Sequence, residues 1–174
     1  YWDWAPRINP DYYYKYFGGT APTHHLYGLN VALDMILKEG IEAVWRRHEV
    51  LASAIWAAIE SWEKGGELKA NIQDKKLRSA AVTSLHVQTP KGTHIRKWLQ
   101  ANTGLTIGIG LGMATPNDPN GDGYFRLGHM GHVNAQMIMA LIATLETAMI
   151  AVGVPHGNNA INKAASIIAK FSEP

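Results

Sequence analysis

The chain has 174 residues, a formal net charge of +2 and no cysteine, and 47% of its residues are hydrophobic while 17% are charged. This composition is typical of one globular domain, or of a small domain with part of another, and it argues against a disordered or fibrous protein. Because Lys and Arg are interspersed with Asp and Glu, a nucleic-acid surface is not expected. The lack of cysteine excludes disulfides and thiolate metal sites and is compatible with a cytoplasmic protein.

The first 22 residues are rich in aromatic side chains and are interrupted by prolines and glycines, which predicts an irregular, packed segment. Because the chain opens on Tyr1 and this aromatic stretch instead of Met, and no signal peptide is visible, we expect a piece of a longer protein. Apolar residues from Leu26 to Leu37 then recur at helical spacing, and Gly40 follows them. A second helix is predicted from Ile41 to the glycine pair at 65–66.

After residue 66 the pattern changes to shorter elements of mixed type. Alternating β-branched residues predict strands, a glycine-interrupted run predicts another, and renewed helical spacing predicts helices, the longest of them capped by Asn134. The predicted segments are strands at 81–87, 105–112 and 124–127 and helices at 93–102, 135–151 and 161–170. This order predicts an α+β fold with a small, mainly antiparallel sheet packed by helices.

The most apolar stretch, residues 133–154, has about the length of a membrane span. It contains Asn134, Gln136 and Glu146, and a carboxylate near the centre of a bilayer is costly. We therefore predict a buried helix of a globular protein and no membrane partner.

Three short motifs resemble ligand sites but lack a required part. The glycines of IGIGLGM, residues 107–113, are followed by Pro116 and Pro119 where a dinucleotide site needs a helix, so a strand in close contact with a neighbouring backbone is expected. Residues 118–123 match the first half of a calcium loop, but its twelfth position falls on His129, so a turn is expected. No metal site is predicted, because Gly128 and Gly131 break any helix that would hold His129 and His132 on one face.

The segment FRLGHMGHVN, residues 125–134, places Arg126 among apolar and small residues. Such a guanidinium is expected to be partly buried, and a buried arginine requires a planar anion such as a carboxylate. The residues alone leave two alternatives open. Arg126 either binds the carboxylate of a ligand or forms an internal ion pair with an Asp or Glu.

This segment resembles the C-terminal half of the class V, fold-type I pyridoxal-phosphate aminotransferases, in particular the serine-glyoxylate and alanine-glyoxylate aminotransferase group. Four other segments share the resemblance in the same order along the chain: YFGGTAPTHHLYGL, EGIEAVWRRHEVLASAIWAAIE, RSAAVTSL and GIGLGMA. The resemblance implies that residues 1–38 complete the large cofactor-binding domain and its dimer surface. Residues 39–174 would form the small C-terminal domain.

The resemblance also implies roles for individual residues. Arg126 corresponds to the arginine that binds the substrate α-carboxylate. Thr20, with Gly19 and Phe17 in the same motif, corresponds to the segment that reaches the phosphate of pyridoxal 5'-phosphate in the neighbouring subunit's site. Phe17 stands where the family often has a tyrosine, so a hydroxyl contact is missing there. For His129 and His132 the favoured role is support of the Arg126 loop, and the roles of His24 and His25 stay open.

By the same resemblance, the Schiff-base lysine and the Asp that pairs with the pyridinium nitrogen belong to the part upstream of this chain. No catalytic residue is therefore assigned here, and the chain is expected to be inactive without an N-terminal half that carries the lysine. Complete protomers would form a homodimer that transfers an amino group from a small amino acid, such as serine or alanine, to glyoxylate or another 2-oxo acid.

Two alternatives remain. A pyridoxamine-pyruvate type of aminotransferase or a pyridoxal-phosphate lyase would share the fold, but the former has a further arginine near the GLG turn, where this chain has Leu111. A non-catalytic binding module derived from this half would be free to lose Arg126 and Thr20, and both are present.

Overall fold

The computed structural model describes residues 2–171. Tyr1 of the predicted domain 1–38 and the last three residues of the predicted domain 39–174 lie outside this range. Within that range the chain divides into two compact units at the peptide between Val44 and Trp45. The helices are α1 Thr23–Glu39, α2 Ile41–Glu63, α3 Lys91–Thr103, α4 Ala135–Ala151 and α5 Ala160–Ile168, with short 3₁₀ helices at Ala5–Arg7, Tyr13–Phe17 and Lys75–Leu77. The strands are β1 Lys69–Ala70, β2 Val82–His86, β3 Gly108–Ile109 and β4 Tyr124–Gly128.

The four strands form one antiparallel sheet in the order β1-β2-β4-β3, which confirms the predicted α+β class. Successive residues of β2 and β4 point to opposite faces because the side-chain period of a strand is two. Leu85, Phe125 and Leu127 are buried on one face and join a core to which α2, α3, α4 and α5 contribute. Arg126 is on the other face of β4.

Strand β3 is shorter than the strand predicted at 105–112. The amide of Leu111 donates to the carbonyl oxygen of Ile109 at 2.9 Å, and Gly112 adopts a φ of +74°. These two features turn the chain immediately after Ile109. The two-residue strand β1 was not predicted, because a strand of this length has no recognisable alternation.

Helix α4 begins as predicted, since the Asn134 side chain accepts a hydrogen bond of 2.9 Å from the amide of Met137. Its face toward the core includes Ile138, Ile142 and Leu145, all buried. No helix within residues 2–171 combines the length and the apolar character needed to cross a membrane.

Burial along the first two long helices is uneven. Helix α1 has no buried residue, and the first turns of α2 expose Ile41 and Trp45. From Leu51 onward α2 is part of the core, down to the fully buried Trp62. The predicted apolar face of α2 is therefore buried only in its second half.

Candidate functional site

The glycine-rich segment after α3 packs tightly against β4. A Cβ at position 110 would overlap the Cβ of Tyr124, and one at position 108 would lie 3.2 Å from the Cβ of Arg126. This confirms the prediction of a close backbone approach. The glycines of this segment serve strand packing and the following turn.

Arg126 lies in the middle of β4, with Ser84 of β2 and Gly108 of β3 as its neighbours across the ladders. Its side chain is half-buried, and its Nε donates a hydrogen bond of 2.8 Å to the carbonyl oxygen of Ile109. No Asp or Glu within residues 2–171 forms an ion pair with it. The internal ion pair that the sequence left open is thus not formed in this part of the chain.

The guanidinium therefore keeps two donor groups for a ligand. Nη1 and Nη2 form no hydrogen bond with a protein group in the described range. An arginine whose terminal nitrogens are unbonded presents a planar fork, which matches the two oxygens of a carboxylate. The sequence did not reveal the Ile109 carbonyl that accepts this hydrogen bond.

Phe17, Gly19 and Thr20 lie together in the other unit, directly before α1. Phe17 ends a 3₁₀ helix and packs edge-on against Tyr13, with ring centroids 5.6 Å apart. Thr20 is exposed, and no atom lies within 4 Å of the place where a Cβ at Gly19 would be. The segment has space for an incoming group.

Arg7 is a neighbour of this segment that sequence reasoning missed. Its Nη2 lies 3.0 Å from the position of a Cβ at Gly18, and it forms no ion pair with an acidic residue in the described range. With Trp2, Trp4, Tyr16 and Phe17, it lines an open cavity of about 470 Å³. The cavity thus combines aromatic rings with one cation.

Thr20 and Arg126 belong to different units. Lys15, the lysine nearest to the Thr20 motif in sequence, is bound to Asp11 at 3.2 Å within the first unit.

His129 lies just beyond β4 and is fully buried. Its Nδ1 is 3.0 Å from the carbonyl oxygen of Ala80, and its Nε2 is 2.9 Å from the hydroxyl of Thr83. The indole Nε1 of Trp56 donates to the same hydroxyl at 3.1 Å. Because a carbonyl only accepts, Nδ1 carries the hydrogen, and in the neutral ring the Thr83 hydroxyl donates to Nε2 while it accepts from Trp56.

These contacts fasten the end of β4 to the start of β2. Burial is the main cause that lowers the pKa of His129 below the usual histidine value, and the nearby His48 lowers it further. The bond to the Ala80 carbonyl acts in the opposite direction. The contacts agree with the expected role in supporting the segment that follows Arg126.

We expect the free energy of unfolding to fall as the pH drops below about 6.5, the usual histidine pKa. In that range the unfolded chain takes up a proton that the buried His129 resists, so protonation favours unfolding. Half-buried His86, whose pKa burial also lowers, contributes in the same direction. Urea unfolding from about pH 8 to about pH 5 measures this slope.

The His129→Gln variant should show a flatter pH dependence than the wild type, whereas His132→Gln serves as the matched control. His132 is exposed and three residues away, so its replacement should leave the slope unchanged. Equal slopes for the wild type and His129→Gln would show that His129 titrates alike in the folded and unfolded chain.

The motif at 118–123 is a turn, as predicted. The buried Asp118 carboxylate accepts hydrogen bonds from the amides of Asp122 and Gly123 and from the hydroxyl of Thr89. The bond from the Gly123 amide is the largest of the causes that hold the pKa of Asp118 below its usual value. Within residues 2–171, no three His, Asp or Glu side chains are grouped so as to hold a metal ion.

Comparison with known proteins gives several matches over most of the chain. A serine-glyoxylate aminotransferase of Arabidopsis thaliana is 32% identical over 161 residues, which are 89% of this chain and 36% of that protein. The enzyme of the same name from Methylorubrum extorquens is 31% identical over 159 residues, 88% of this chain and 36% of that protein. The crystal structure of pyridoxamine-pyruvate aminotransferase from Mesorhizobium loti superposes with a TM-score of 0.73 at 26% identity, covering 86% of this chain and 36% of that one.

The chain spans about a third of the length of these relatives. The family described as aminotransferase class V matches residues 7–121, which include the Thr20 motif and the glycine-rich segment. This match covers most of the chain, and the solved structure has the same fold. The chain therefore belongs to the class V aminotransferase family.

Proposed function

We propose that this chain is the C-terminal part of a pyridoxal-phosphate-dependent aminotransferase, and that Arg126 binds the α-carboxylate of its substrates. The amino group would move from a small amino acid, such as serine or alanine, to glyoxylate or another 2-oxo acid. The observation that carries the proposal is the half-buried Arg126, oriented by one hydrogen bond and with its terminal nitrogens unbonded in the described range. The names of the two serine-glyoxylate relatives support the choice of substrates.

The role of Arg126 follows from what these substrates share. Every amino acid and 2-oxo acid in the reaction carries a carboxylate next to the reacting carbon. A guanidinium held at one place can bind each of them in turn through two parallel hydrogen bonds. Because both bonds are directional, Arg126 would fix the rotation of the substrate as well as its position.

The residues around Thr20 fit the phosphate of the cofactor. Thr20 is exposed with space beside Gly19, and the Arg7 guanidinium near Gly18 adds a positive charge to the same turn. The hydroxyl and backbone of Thr20 and the backbone of Gly19 would hold the phosphate. Phe17 would supply an apolar contact without a hydroxyl. When bound, pyridoxal 5'-phosphate supplies an electron sink for the substrate α-carbon.

The proposed partner is the N-terminal half that carries the Schiff-base lysine. Helix α1 has no buried residue, and Tyr27 and Leu37 are 77% and 76% exposed. Large apolar side chains exposed along one helix in this number are normally covered by another part of the protein. We place residues 1–38 in the large domain and 39–174 in the small domain, with complete protomers forming a cytoplasmic homodimer. The division between Val44 and Trp45 lies close to that boundary.

A complementation assay tests the proposal. The full chain alone should not transfer an amino group, and the chain produced together with a lysine-bearing large domain should convert serine and glyoxylate to hydroxypyruvate and glycine. The control is the same large domain with its cofactor lysine replaced by alanine, which should remove the activity. Amino transfer by the chain alone, or none by the assembled pair, would contradict the proposal.

A further inference from the structure

Three features of the β3 segment converge on Arg126. The Ile109 carbonyl accepts from Arg126 Nε at 2.8 Å, and the same oxygen accepts from the amide of Leu111 at 2.9 Å. Gly108 lies directly across the ladder from Arg126. The turn after β3 thus fixes the direction of the carbonyl, and the carbonyl fixes one edge of the guanidinium.

The geometry points to the segment 108–111 as a positioning element for Arg126. With Nε occupied by Ile109, a ligand carboxylate can bind only end-on, to Nη1 and Nη2. Gly108 leaves the space in which the arginine stem lies. Gly108 and the Ile109 carbonyl are thus positioning groups that act through Arg126, and this inference rests on the carboxylate-binding role proposed above.

The distances show that a side chain at position 108 would press against Arg126. A Cβ there would lie 3.2 Å from Arg126 Cβ, 3.4 Å from its Nε and 3.4 Å from its carbonyl oxygen. The backbone of β4 cannot give way easily, because β2 pairs with it along five residues from Val82 to His86. The side chain of Arg126 would therefore move, and its bond to Ile109 would lengthen.

Gly128 offers a matched control, because it lies on β4 two residues from Arg126 and on the same face of the sheet as Arg126. Nothing lies within 4 Å of the place where its Cβ would be, and it has no positive φ. Gly108→Ala and Gly128→Ala therefore add the same methyl group to neighbouring positions of one sheet. Only the methyl group at position 108 would contact Arg126.

The test measures the affinity of the full chain for sodium glyoxylate by following the ¹⁵N-labelled arginine side chains by NMR. We expect Gly108→Ala to bind about 10-fold more weakly, as for one misaligned charge-assisted hydrogen bond. Gly128→Ala should stay within about twofold of the wild type, with both variants folded by circular dichroism. Wild-type affinity in Gly108→Ala, or equal losses in both variants, would overturn the inference.

Two further measurements separate the possible failures. The Arg126 Nε–H of the wild type should exchange slowly with solvent, with and without saturating glyoxylate, since its bond to Ile109 persists in end-on binding. Fast exchange in either state would overturn the inference even if Gly108→Ala does not fold. If Arg126→Lys loses affinity while Gly108→Ala keeps it, the positioning role fails alone. If Arg126→Lys keeps full affinity, the proposed function fails too.

Discussion

Replacing Arg126 with lysine should raise the KM for glyoxylate in the assembled protein by about 10- to 100-fold while leaving the fold intact. Lysine keeps the charge but offers a single rotatable ammonium instead of a planar fork, so one of the two parallel bonds is lost. A hydrogen bond to a charged group contributes about 1.5–3 kcal/mol, which corresponds to this range of affinity. The bond from Nε to the Ile109 carbonyl is lost as well.

Steady-state kinetics with serine and glyoxylate measure the effect, and thermal unfolding checks the fold. Because the carboxylate is common to donors and acceptors, KM should rise for both substrates. Arg96→Lys is a matched control, because it makes the same change at a partly buried arginine of α3 in the same unit. Unchanged affinity for amino acids in Arg126→Lys would refute the carboxylate role.

Replacing Phe125 with alanine should lower the free energy of unfolding by about 3–5 kcal/mol. Phe125 is fully buried on the core face of β4, between its ladder partners Leu85 and Ile109. Truncation of the ring removes apolar contacts and leaves a cavity that a paired strand cannot close. A loss of this size is a large part of the total stability of a small domain.

Urea unfolding at neutral pH gives the value directly. Ile150→Ala is the control, because Ile150 is 69% exposed on α4 and its loss should change the stability by no more than about 0.5 kcal/mol. If the two variants were equally stable, the core face of the sheet would be assigned incorrectly.

The helices and the main strands were predictable because their signals are local. The spacing of Leu29, Leu33 and Ile36 reveals α1, and Asn134 marks the start of α4, since both depend on residues within a few positions. The pairing of β2 with β4 joins residues 38 to 46 positions apart, and no local pattern carries it. The exposure of α1 could not be predicted either, because periodicity identifies an apolar face but not what covers it.

The candidate site was predictable to the same extent. A single arginine in an apolar run drew attention to Arg126, and the role that a family resemblance implies for it stays a prediction. The carbonyl of Ile109 could not be foreseen, because a main-chain group has no signature in the sequence until β3 is paired with β4. The hydrogen bond between His129 and Thr83 could not be predicted for a related reason, since Thr83 lies 46 positions away on β2.

Strand β3 lies at the end of the sheet, with β4 as its single neighbour in the described range. The loop that follows it contains the exposed Leu111 and leads to the next turn without entering the core. Changes in the length or side chains of that loop can thus alter what surrounds the guanidinium while the buried bonds between Trp56, Thr83 and His129 stay as they are. The loop beside the guanidinium and the buried hydrogen bonds are therefore separable parts of this unit, so the edge of the sheet can vary in sequence without disturbing the interior.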